Sequence, residues 1–133
     1  MRAKTIRDRL WLWGHESGSH NEGVGASSRI TPCEAALYMG IPNVILVRYQ
    51  NLPKPPFRQY ALPFSCLREV VWSIVGDSST TTNDQQTDID EVCLLAQEFP
   101  NITGAMMDDF FHPLKPDGKF SRYTTEEVRQ LHR

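Results

Sequence analysis

Four short apolar runs, at residues 10–13, 44–47, 70–75 and 102–107, constrain this chain more than any other feature, because each precedes a helix-forming segment. Continuous apolar runs, as opposed to alternation of apolar and polar residues, mark strands covered on both faces, the habit of parallel sheets. Val44-Ile45-Leu46-Val47 is the clearest of them, being almost wholly β-branched. The runs begin about 26 to 34 residues apart, the size of a strand, a crossover and a second parallel strand.

Punctuation between the runs supports the same organisation. Gly14 is expected to stop the first strand, and a long Gly/Ser-rich loop follows to Thr31. Thr31-Pro32-Cys33-Glu34 reads as an N-cap, a proline at the first helical position and a capping-box glutamate, opening a helix over 33–39 that Gly40 ends. Pro53, Pro55, Pro56 and Pro63 forbid a long helix in the second crossover, which is expected to be a loop with a short helix over 58–67. Asp88-Ile89-Asp90-Glu91 reads as a second capping box, with Val92, Leu95, Ala96 and Phe99 at helical spacing before Pro100-Asn101. Thr124-Thr125-Glu126-Glu127 opens a fourth helix.

The fold class expected is therefore α/β, with four consecutive βα units in one domain over residues 1–133. A complete (β/α)₈ barrel takes about 250 residues, so four units correspond to a half barrel. A doubly wound sheet would carry a Gly-rich nucleotide turn after the first strand, and Gly14-His15-Glu16-Ser17-Gly18 lacks that spacing. Half a barrel exposes the edges of strands one and four, so a homodimer or docking of the missing half is expected.

Charge narrows the partners. Fourteen Lys and Arg against sixteen Asp and Glu give a net charge of −2, with the basic residues scattered, so neither nucleic acid nor an anionic membrane is expected to bind. A small polar or carbohydrate ligand suits this balance, and no cofactor motif is evident. Cys33, Cys66 and Cys93 are odd in number and widely spaced, which favours reduced thiols and a cytoplasmic setting. No run reaches the roughly 20 apolar residues of a membrane span.

In parallel β/α folds the chemistry collects at the C-terminal ends of the strands. The candidates there are Trp13, His15 and Glu16 after strand one, Arg48 and Tyr49 after strand two, Asp77 after strand three, and Asp108 and Asp109 after strand four. The adjacent acids of Met107-Asp108-Asp109-Phe110 do not both ionise easily in a partly apolar mouth, so one is expected to retain a proton that it can donate. The competing role is a turn cap for Asp109 and an ion pair for Asp108. For Arg48 the choice lies between clamping an anion and neutralising a neighbouring acid. Trp11 and Trp13 share one side of their strand, either as core or, for Trp13, as a platform for a sugar ring. His15, Glu16 and His20 with Asp77 or Asp108 are an alternative metal set without a recognised ligand spacing.

Leu12-Trp13-Gly14-His15 with residues 43–49, 71–77 and 101–111 resembles the start of a bacterial TIM-barrel family, without an assigned activity, that is similar in layout to glycoside hydrolases. The Asp108-Asp109 pair separately resembles the paired aspartates at the fourth strand of the substrate-assisted hexosaminidases. That resemblance implies that Asp108 orients an acetamido group and that Asp109 is the general acid. The function expected is the N-terminal portion of a glycoside hydrolase-like barrel. A metal-dependent barrel isomerase or hydrolase, and a non-catalytic sugar-binding or assembly module, are the alternatives.

Overall fold

The computed structural model describes residues 4–19, 21, 25–49, 52–75, 88–108 and 124–131. Four strands, β1 (Trp11–His15), β2 (Asn43–Val47), β3 (Glu69–Ser73) and β4 (Ile102–Met106), pair in the order β1-β2-β3-β4, all parallel. Helices α1 (Pro32–Met39), α2 (Arg58–Ala61) and α3 (Ile89–Glu98) lie between them in the chain, and α4 (Thr125–Leu131) follows β4. Consecutive strands are always neighbours, so the sheet winds without reversing direction.

The core lies on one face of that sheet. Leu12, Val44, Leu46, Val70, Trp72 and Ile102 occupy alternate strand positions and pack in one cluster with Ala36 of α1, Phe57 and Ala61 at α2, and Val92 and Leu95 of α3. The alternation follows from the two-residue repeat of a strand, and a single shared cluster means that these three helices cover the same side. Trp72 is fully buried at its centre, with Phe57 5.5 Å and Phe64 6.0 Å from its ring. The other face carries Trp11 and Trp13, 37% and 50% exposed, beside half-buried Ile45 and Val71.

Local signals explain most boundaries. Thr31 caps α1 through the expected box: its hydroxyl accepts from the Glu34 amide, and Glu34 accepts from the Thr31 amide at 2.8 Å. Gly40 ends the helix at φ 64°, a left-handed conformation that glycine adopts at no steric cost. Thr124 and Glu127 form the box before α4. The second crossover is a turn of α-helix followed by a 3-10 turn, Leu62–Cys66, as its prolines require.

Two expectations change. Gly14 does not stop β1; it sits within the strand, because Pro32 of α1 lies against it. A Cβ placed on Gly14 would come within 2.7 Å of the Pro32 Cβ, so only glycine allows α1 this close. The box expected at Asp88 is also absent. Asp88 precedes α3 without making a side-chain cap, since its carboxylate is paired with Arg48, while Glu91 accepts from the Phe57 amide at 3.1 Å. A buried guanidinium gains more from a carboxylate than a helix end does, so the tertiary partner wins.

Asparagines secure the N-terminal ends of the strands. Asn43, fully buried, donates to the carbonyls of Asp8 and Leu10, and Asn101 donates to those of Phe64 and Leu67. Each binds a neighbouring connection to the sheet.

Replacing Asp88 by Ala leaves the Arg48 charge buried beside the ring of Phe57, and roughly 3 kcal/mol of stability is expected to be lost, as read from urea unfolding midpoints. Gly14→Ala is expected to cost about 1 to 3 kcal/mol by forcing α1 away from β1. A Gly14→Ala protein that unfolds at the unaltered urea concentration would show that the approach of Pro32 is not tight.

Candidate functional site

The principal cavity, about 280 Å³, opens at the C-terminal end of β1 and is walled by that strand, the loop after it and the first turn of α1. Trp13, His15 and Glu16 line it with Ser17, Ser19, Asn21 and Thr31. Gly14 lets α1 lie against the strand, and the long segment between them begins with a turn over the strand end. Gly18 makes that turn at φ 81°, and the Glu16 carbonyl accepts from both the amide and the hydroxyl of Ser19, at 3.0 and 2.6 Å. Asn21 adds a bond to the Gly18 carbonyl, so the Glu16 backbone is held by its own loop.

Glu16 is the distinctive group. Its Oε2 is buried and meets no hydrogen-bond partner among the described residues, and burial pushes the carboxyl above its ordinary range. Desolvation penalises the charged form, so this acid retains a proton to higher pH than an exposed glutamate. Glu16 also lines a second cavity of about 200 Å³, with Cys33, Pro53, Tyr60 and Phe64, and therefore stands between the two. His15 meets the ring of Tyr49 edge-on, with centroids 5.9 Å apart and planes at 85°.

The remaining candidates are placed differently. Arg48 is 4% exposed, pairs with Asp88, donates from Nε to the Pro53 carbonyl at 2.9 Å and lies 4.8 Å above Phe57. Of its two expected roles, neutralising a neighbouring acid is the one these contacts fulfil. Tyr49 does not line the cavity and touches its wall at His15. Asp108 is half-buried just past β4, three strand spacings from β1, or about 14 Å across the sheet, and does not line the β1 cavity. Asp77, Asp109 and His20 lie outside the described residues. Among those described, no three of His, Cys, Asp and Glu come together as a metal-ligand group.

Ser17, Ser19 and Asn21 were not singled out as ligand-facing from the sequence, where they are part of an undifferentiated Gly/Ser-rich stretch. They line the cavity around the turn at Gly18, whose positive φ is not visible in composition. No helix among the described residues is long and apolar enough to cross a membrane.

Comparison with known protein families, with curated proteins and with solved structures finds no match to this chain.

The raised affinity of Glu16 for a proton sets a pH signature. The folded state holds this proton more tightly than the unfolded chain does, so ionising Glu16 weakens the fold as pH rises from about 4.5 through the raised folded value. Glu16→Gln, which cannot ionise, is expected to match the parent protein near pH 4 and exceed it in stability near pH 7, by urea unfolding at both values. Equal differences at the two values would mean that Glu16 titrates alike in both states.

Proposed function

We propose that this chain is the carbohydrate-binding first half of a β/α barrel, similar in layout to glycoside hydrolases, with its sugar site at the C-terminal end of β1. The observation that carries the reading is that a half-exposed Trp13 and a carboxyl biased towards its protonated form, Glu16, line one cavity with several hydroxyl and amide groups. Sugars present an apolar face of C–H groups and a rim of hydroxyls. An aromatic platform beside short polar side chains complements both.

Support for the barrel comes from winding. Four parallel strands in sequential order, with α1, α2 and α3 on a shared face, is the arrangement of successive barrel units, whereas a doubly wound sheet reverses its order and places helices on both sides. The polar residues at the C-terminal strand ends and the structural asparagines at the other end follow the division of such barrels into a reactive face and a stabilising one.

Within this reading Asp108 and Asp109 keep the orienting and acid roles suggested by the hexosaminidase resemblance, and Glu16 is a further carboxyl suited to donate a proton. Glycoside hydrolysis by two carboxyls requires them on either side of the scissile bond, about 5 to 9.5 Å apart.

Titration of the protein with neutral mono- and oligosaccharides, followed by the indole N–H resonance of Trp13, tests the proposal. A saturable shift is expected in the parent protein, with an affinity, read by titration calorimetry, that is weakened about tenfold or more in Trp13→Ala while the far-ultraviolet circular dichroism is unchanged. Saturation that is indifferent to Trp13→Ala, or an unmoved Trp13 resonance across the panel, would overturn the sugar reading.

A further inference from the structure

The second cavity directs attention to a pair of cysteines that are remote in sequence. Cys33, in the first turn of α1, and Cys66, at the end of the 3-10 turn, hold their sulfurs 3.8 Å apart as free thiols. Both are directed at one acceptor, the carbonyl of Pro63, at 3.1 Å from Cys33 and 3.2 Å from Cys66. A disulfide requires sulfurs about 2.05 Å apart, so the two thiols are within a small side-chain rotation of bonding. Their surroundings differ: Cys33 is 6% exposed and lines the cavity beside Glu16, whereas Cys66 faces solvent.

We propose that Cys33 and Cys66 form a thiol–disulfide site that takes a hydroperoxide as oxidant, with exposed Cys66 as the attacking sulfur and buried Cys33 as the resolving one. In the first step the Cys66 sulfur attacks a peroxide oxygen. The O–O bond breaks, Cys66 becomes a sulfenic acid, and the second oxygen leaves as water or alcohol carrying the thiol proton. In the second step the Cys33 sulfur attacks that of Cys66. The S–O bond breaks, and the hydroxyl departs with the Cys33 proton as water. Each sulfur is oxidised by one electron, and the peroxide is reduced by two.

The asymmetry assigns the order. Burial, then the hydrogen bond and charge of Cys66, then the charge of Glu34 push the Cys33 thiol up to about 11, so it is a poor first nucleophile. Once Cys66 is a sulfenic acid, the Cys33 sulfur 3.8 Å away is the nearest partner for resolution among the described residues. The resulting bond would tie the start of α1 to the second crossover, joining two walls of the cavities that Glu16 lines.

The test uses Cys93→Ser, which removes the third, exposed thiol on α3. Treatment with hydrogen peroxide is expected to lower the intact mass by about 2 Da, remove both remaining titratable thiols and raise the thermal midpoint, all reversed by dithiothreitol. Adding Cys33→Ala should trap the sulfenic acid, detected by dimedone. Adding Cys66→Ala should leave Cys33 largely unreactive on the same timescale, and tryptophan fluorescence of each variant checks that the fold is retained. Mass gain by oxygen without loss of two hydrogens in Cys93→Ser, cross-linked dimers as the main product, or dimedone labelling of Cys33 in Cys66→Ala ahead of Cys66 in Cys33→Ala would each overturn the proposal.

Discussion

The buried guanidinium of Arg48 is the contact on which the arrangement of crossovers depends. It leaves the end of β2, pairs with the carboxylate of Asp88 at the entrance to α3, donates from Nε to the Pro53 carbonyl and lies over Phe57 at the entrance to α2. One charge thus fixes where two successive connections return to the sheet. The Asp88 amide completes the junction by donating to the Ile74 carbonyl just past β3. Because a buried charge without a partner is costly, each of these contacts is needed to keep the others in place.

Beside that junction, at the C-terminal end of the neighbouring strand β1, a cavity remains open. At β1 several polar side chains are engaged within their own loop, Ser17 with the Arg29 carbonyl, Ser19 with that of Glu16 and Asn21 with that of Gly18, while Trp13 remains half exposed and the Oε2 of Glu16 meets no partner among the described residues. The β2 end has its charge neutralised internally, whereas the β1 end holds a desolvated carboxyl. The cavity is built around a tight turn at Gly18, beside the strand that Pro32 approaches at Gly14.

The cysteine pair illustrates the same division on the other side of α1. Thirty-three positions separate Cys33 from Cys66, and β2 lies between them in the chain, so no spacing rule connects them. They meet because the prolines of the second crossover fold it into a short helix and a 3-10 turn that end beside the first turn of α1. A carbonyl shared by two thiols is then a consequence of packing.

Much of the architecture was legible in the residues alone. Continuous β-branched runs mark parallel strands, and Thr31 with Glu34, Gly40, and Thr124 with Glu127 mark helix ends, because these signals act within a few residues of chain. Signals that depend on distant neighbours misled or were silent. Gly14 resembles a strand stop until Pro32 is seen against it, and Asp88 resembles a cap until Arg48 claims its carboxylate. The sequence by itself determined the four βα units, their parallel sense and the set of strand-end residues from which a site would be drawn. Only the tertiary structure decided that Glu16 is desolvated, that Arg48 is consumed in the scaffold and that two remote thiols converge, because burial and ion pairing are set by what the folded chain brings alongside each residue.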